Sequence, residues 1–227
     1  MSSAVNEAMA DVRDMYMAHT ALRREFRLLP QLVRDVEPGD IKRADAVGAH
    51  AELVCSIPHL HHEGEDLILW PLLLERGGEA VASIVATMDE QHHAIAQANA
   101  EVAGLLPGWR STARDGDELA TALERLVDNL VEHLALEEAE ILPLTEKYVT
   151  AAEWQRLGEH GLAKSGKKTL PLTFGMMMYE GDPAVVKAVL ADAPLPARLA
   201  MPVLGPRLYA SHAKRIHGTR TPPRVGS

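Results

Sequence analysis

With 227 residues, a net charge of -9 and only 4% aromatic residues, the chain is long enough for one full core plus an appendage, and its composition suits packed helices rather than a sandwich of β-branched and aromatic strands. The acidic balance excludes sequence-independent nucleic-acid binding by the body of the protein. The single cysteine, Cys55, excludes an internal disulfide and a thiolate metal cluster, so any metal must be held by nitrogen and oxygen. No run of about 18 apolar residues occurs and the N-terminus has no export pattern. The expectation is therefore an all-α protein of the cytoplasm, with neither membrane nor nucleic acid as partner.

Apolar periodicity predicts a series of long helices before residue 150. Residues 4–36 read as one helix, because Val12, Met15, Leu22, Phe26, Leu29 and Val33 recur at spacings of three and four. Glu37-Pro38-Gly39 ends it and Asp40 caps a second helix that runs to about Arg76, bent at Pro58 and stopped by Gly77-Gly78. A third helix covers Glu79 to Leu106, followed by a loop through Pro107-Gly108 to Gly116, and a fourth runs from Asp117 to Tyr148. Connections this short fold each helix back beside its predecessor, giving an antiparallel up-down-up-down four-helix bundle over residues 1–149.

Residues 150–217 read as a helical C-terminal extension. Thr150 to Glu153 forms a capping-box pattern, Asp182-Pro183 starts another helix, and Pro202, Gly205 and Pro206 interrupt the segment from Ala197 to His217. Residues 218–227 read as a disordered tail. From residue 193 onward Arg198, Arg207, Lys214, Arg215, Arg220 and Arg224 meet no acidic residue, so the end of the chain is basic. The protein partner of this segment stays open.

The chemistry lies in an internal repeat. His61-x3-Glu65-Asp66-x2-Leu69-x-Pro71 matches His133-x3-Glu137-Glu138-x2-Ile141-x-Pro143. Residues i and i+4 share a helix face, so each copy offers one imidazole and one carboxylate to a common point. The spacing alone is weak, since His59 and Glu63 share it; the matched acidic residue and proline strengthen it. His61 and Glu65 fall on the stripe Val54, Ile57, Ile68, Leu72, whereas His59 and Glu63 face outward. His133 and Glu137 interrupt Leu126, Leu130, Ile141, Leu144. His19 and His92 interrupt the apolar stripes of the first and third helices in the same way.

Burying four imidazoles and two carboxylates is costly unless each is paired or bound to a cation. Six nitrogen and oxygen ligands exceed the four of structural zinc and are too rich in imidazole for calcium or magnesium. They suit two octahedral ions bridged by the carboxylates, iron first and manganese second. The ligand set is His19, His61, Glu65, His92, His133 and Glu137, with His62 as a further candidate. Asp66 and Glu138 stand where they can orient ligand rings, while His50, His59 and His93 read as surface or supporting residues. Met176 to Met178 read as packing and Cys55 as a small buried hydrophobe.

Leu60-His61-His62-x2-Glu65-Asp66-x3-Trp70-Pro71, together with His19-Thr-Ala-Leu-Arg23, Met88-x2-Gln91-His92 and His133-x3-Glu137-Glu138-x2-Ile-Leu-Pro143, resembles the hemerythrin-like proteins with a cation-binding His-His-Glu domain, over residues 12–148. The resemblance implies a carboxylate-bridged, oxo- or hydroxo-bridged pair of iron ions that handles dioxygen, nitric oxide or peroxide. Where oxygen-carrying hemerythrins hold a second histidine one turn after the first on the third helix, this chain has Ala96. The position is therefore open unless His62 fills it. Two functions are compatible with this: an enzyme with peroxidase, catalase-like or nitric oxide chemistry, or a non-catalytic sensor or iron store that signals through the extension.

Overall fold

The computed structural model describes residues 7–166, 168–191 and 193–225. Among them the chain is helical throughout, with α1 Arg13–Arg34, α2 Ile41–Gly64, α3 Trp70–Gly77, α4 Glu79–Thr112, α5 Gly116–Leu136 and α6 Leu142–Tyr148 forming the first part. α1 packs on α2 and α5, and α4 packs on the same two helices, so four rods close a ring. Arg34, at the end of α1, pairs with Asp117 and Glu124 at the start of α5. Arg110, late in α4, pairs with Asp45 and Glu52 early in α2. End meets start in both cases, so these neighbours run antiparallel.

Local chemistry sets the boundaries. Asp40 accepts a hydrogen bond from the Arg43 N–H as the N-cap of α2, and Gly39 and Gly78 turn the chain at positive φ, 89° and 59°. α4 differs from its expectation: it continues through Pro107 and Gly108 to Thr112. Val102, Leu106 and Trp109 are buried on one face there, and that burial outweighs the local cost of the proline.

The core is in two parts. Leu22, Phe26, Leu29, Val47, Val54, Leu123, Leu126 and Leu130 belong to the larger cluster; Val12, Met15, Leu69, Leu73, Val85, Met88, Ile141 and Leu142 belong to the second. In α1 the boundary falls between Met15 and Leu22, in α4 between Met88 and Ile95, and in α5 just after Leu134. Every predicted metal ligand lies at that boundary.

The extension comprises α7 Ala151–Lys164, α8 Leu170–Met178, α9 Pro183–Ala191 and α10 Leu195–His217. The capping box of Thr150 and Glu153 starts α7. α10 remains helical across Pro202 and Pro206; it packs along α8, where Gly175 and Gly205 approach so closely that a Cβ on Gly175 would lie 2.3 Å from the Gly205 carbonyl oxygen. α7 and α10 touch α2, and α8 and α9 touch α1. The end of the chain, read from composition as unstructured, is held down up to residue 225: the Tyr179 hydroxyl donates to the Pro222 carbonyl and the Val225 N–H donates to Glu180.

One buried cation joins extension to bundle. The Arg24 guanidinium, 1% exposed, bonds Glu25 at 2.9 Å, Glu180 at 2.5 Å, the Met176 carbonyl at 2.7 Å and the Tyr209 hydroxyl at 3.1 Å. Removing one partner of a buried ion network leaves an uncompensated charge. Arg24→Ala is expected to lower the unfolding free energy by about 3–5 kcal/mol, read from urea titration, with the extension becoming protease-sensitive before the bundle does.

Candidate metal centre

The two copies of the repeat produce the same backbone irregularity. Glu65–Leu69 and Glu137–Ile141 are π-helical turns, in which the Glu65 carbonyl accepts from the Trp70 N–H and the Glu137 carbonyl from the Leu142 N–H. Pro71 and Pro143 come directly after. A proline has no N–H to complete an α-turn and its ring pushes against the carbonyl four residues back, so the helix widens there, a device common at functional sites. The wider turn also shifts the phase of the residues beyond it. Leu69 and Leu73 are buried, whereas Ile68 and Leu72, expected inward from regular α-helical spacing, are only half-buried; Thr145 replaces Leu144 in the same way.

The structure brings His19, His61, His62, Glu65, His92, His133 and Glu137 together between the two core clusters. They divide into two groups with ligating atoms within 4.8 Å of one another: His62, Glu65, His92 and His133, and His19, His61 and Glu137. Glu65 faces both, with Oε1 3.3 Å from His61 Nε2 and Oε2 3.3 Å from His92 Nε2. Glu137 Oε2 lies 3.3 Å from His19 Nε2, 3.6 Å from His133 Nε2 and 4.0 Å from His61 Nε2. The neighbours His61 and His62 point about 100° apart on a helix and so address different groups. His62 stacks on His92 at 4.0 Å between ring centroids.

Opposite edges of the rings are held by acceptors. His19 Nδ1 donates to Glu138 at 3.0 Å, His92 Nδ1 to Asp66 at 2.8 Å and His133 Nδ1 to Gln91 at 3.3 Å. Arg23 steadies Glu138 and the Trp70 N–H steadies Asp66. Such acceptors fix the tautomer and aim Nε2 inward. Gln91 enters the sequence reading only as part of the Met88-x2-Gln91-His92 pattern, and its role behind His133 emerges from the structure. His59 and His93 lie outside the centre, both exposed. His50 differs from its expectation as a surface or supporting residue: it is buried, 1% exposed, beside Glu25 and His217.

Whether a cation fits is tested by the atoms left over. Both oxygens of Glu65 and of Glu137, and Nε2 of His62, His92 and His133, are buried without a hydrogen-bond partner, and His19 Nε2 and His61 Nε2 face each other at 3.3 Å. Orphaned atoms of this kind are expensive singly. A cation about 2.1 Å from each donor puts adjacent donors about 3.0–3.4 Å apart, close to the spacings found. The donor set fits divalent metal ions of nitrogen and oxygen preference.

The hemerythrin HHE cation-binding domain matches residues 10–145. The chain belongs to that family. No curated protein and no solved structure matches it.

In this HHE domain the ion-free charge state is also set by burial. Burial, with the neighbouring imidazoles, pushes His61 down to about 4 and His133 to about 3, and His62 falls well below its ordinary value for the same reasons. These three rings are neutral, with lone pairs free. Burial and the facing Glu137 push Glu65 well up, and Glu137 stays ionised among the histidines despite its burial. His19 moves the other way: burial opposes its charge, but Glu137 and Glu138 raise it to about 9.

Below pH 9, then, His19 of the HHE domain carries a proton that ligation must expel, and the raised Glu65 carboxyl acts in the same direction. The raised imidazole stabilises the ion-free fold below its ordinary 6.5 and loses that contribution as pH climbs through 9, so metal affinity has the opposite sign and should tighten by about tenfold or more per pH unit between 6 and 8. Calorimetric titration in buffers of different ionisation enthalpy reads the released protons directly. His133→Ala or Glu137→Ala should lose much of the bound metal and lower the melting temperature of the metal-loaded protein, whereas His59→Ala should change neither.

Proposed function

We propose that the HHE domain holds two iron ions bridged by Glu65 and Glu137, and that it binds or reduces a small oxidant: dioxygen, nitric oxide or hydrogen peroxide. The single observation that carries this reading is the unequal division of the ligands around two shared carboxylates. One group has three imidazoles, the other two, so the second has fewer protein donors and room for an external ligand. His62 takes the place that Ala96 leaves empty. Iron, when bound, supplies reversible one-electron chemistry and an exchangeable coordination position.

The chain's own residues support access at that poorer side. A cavity of about 330 Å³ lies between the bundle and the extension, lined by His61, Leu60, Ile57, Met15, Trp154 and Gly161 among others. His61, whose side chain is 14% exposed, is the ligand that meets it. Mostly apolar walls favour a small neutral molecule and exclude charged ones. Asp14 borders the cavity with its carboxyl raised by burial, although the Trp154 N–H, which bonds it at 3.1 Å, works against that rise.

A second reading, a sensor that reports the iron state through the extension, is favoured by one feature: α1 carries both the ligand His19 and, less than two turns on, the anchors Arg24 and Glu25. Turnover separates the two. Chain loaded anaerobically with ferrous iron should hold about two irons and consume peroxide or nitric oxide at a steady rate if it is an enzyme. A single saturable uptake with altered protease cleavage of residues 150–225 supports the sensor. A chain that takes up no iron overturns both.

Gly161→Phe tests the route. Gly161 lines the cavity and a Cβ there meets nothing within 4 Å, so the substitution adds bulk at the wall without displacing the backbone. Reaction with the oxidant, followed by stopped flow, should slow by about tenfold or more at unchanged iron content. An unaltered rate would place the entrance elsewhere.

A further inference from the structure

The metal centre is not the only place where ligating atoms are buried and left without partners. Glu25 on α1, His50 on α2 and His217, the last residue of α10, bring one oxygen and two nitrogens within 4.8 Å of one another. Glu25 Oε2 lies 3.4 Å from His50 Nε2 and 3.7 Å from His217 Nε2. All three atoms are buried and unbonded, and the side chains are 2%, 0% and 4% exposed. None of the described side chains supplies the hydrogen bond that would satisfy them.

We propose that Glu25, His50 and His217 form a second, mononuclear site for a zinc-type divalent cation, which fastens the end of α10 to the bundle. Two imidazoles and a carboxylate with a fourth position for water is a known zinc set, and donors about 2.1 Å from zinc at tetrahedral angles stand about 3.4 Å apart. The spacings of 3.4 and 3.7 Å here are compatible with that arrangement.

The residues behind the ligands are arranged for such a site. Glu25 Oε1 is held by the Tyr209 hydroxyl at 2.6 Å and by Arg24 at 2.9 Å, leaving Oε2 to point at the two rings. His50 Nδ1 meets His212 Nε2 at 3.0 Å; with the proton on His50 Nδ1, its Nε2 lone pair is free for the ion. Arg215 donates to His212 Nδ1 at 3.1 Å, which sets the opposite proton order, from Arg215 through His212 and His50 toward Glu25. Ion binding reverses that order, and Arg215, itself exposed, turns into water when His212 Nδ1 takes the proton. The relay thus has an ion-free and an ion-bound form.

This site does not depend on the bundle centre holding iron, and the experiment separates them. Full-length protein, first loaded with iron and then dialysed against zinc, is compared with His217→Gln and His50→Gln by elemental analysis, and the same chains are titrated with cobalt as a visible probe. The wild type should bind one more zinc per chain than either variant at equal iron content. It should also show a tetrahedral cobalt band that the variants lack, and melt about 5 °C higher with zinc at 100 times its dissociation constant than in chelator. Far-UV circular dichroism in chelator establishes that the variants fold. Equal zinc content in all three chains would overturn the proposal, as would a melting difference between wild type and variants that is the same with zinc and with chelator, since that is the mark of an ion-free network. Failure of iron loading would instead bear on the bundle centre, because zinc difference and cobalt band are read at His217 and His50.

Discussion

Seven polar side chains buried between two apolar clusters are the constraint around which this fold is arranged. Each would be expensive alone, since an unpartnered amide-sized polar group costs about 1–3 kcal/mol by mutational measures and a charge far more. The four rods nevertheless bring them to one level, and the flanking residues Glu138, Asp66 and Gln91 use their hydrogen bonds to turn the rings inward rather than to satisfy their inner nitrogens. A cation held at this level would satisfy all of these inner atoms together, which the flanking hydrogen bonds leave unpaired.

The extension makes a different use of the same physics. Arg24 and Glu25 are buried as charges that bond each other and reach the Met176 carbonyl of α8, Glu180 just beyond it and the Tyr209 hydroxyl of α10, with only Glu25 Oε2 left unpaired. α1 therefore presents one turn to the metal centre and the next to the extension. The cavity lies in the angle between them, bordered by His61 on one side and Glu25 on the other. The wall of this cavity and the attachment of the C-terminal helices are consequently properties of the same helix pair.

Much of this is legible in the sequence. Four helices, their order and the interruption of each apolar stripe by a histidine come from spacing alone, because an α-helix repeats its faces predictably. The illegible part arises where that regularity breaks. Regular spacing misplaces Ile68 and Leu72 because Pro71 widens the preceding turn, and a widened turn leaves no trace in a search for α-helical periodicity. His62 reads as a secondary candidate because a single focus favours residues four apart, whereas two foci allow adjacent residues to serve one each. His50 looks peripheral because its partners, Glu25 and His217, are distant in sequence. Pro107 and Pro206 read as breaks, yet packing on one face carries both helices through.

Cys55 illustrates how the burial of a residue far from the chemistry can still be informative. It is 7% exposed, and burial pushes its thiol up to about 12, so in the closed bundle it is neither accessible nor a thiolate. Being the sole sulfhydryl in the chain, it becomes reachable by an alkylating reagent only when α2 swings away from its neighbours. The protein thus carries its own clock for the breathing of the bundle: the pace of label uptake at this one atom measures how often the helices part, and how firmly bound cations hold them shut.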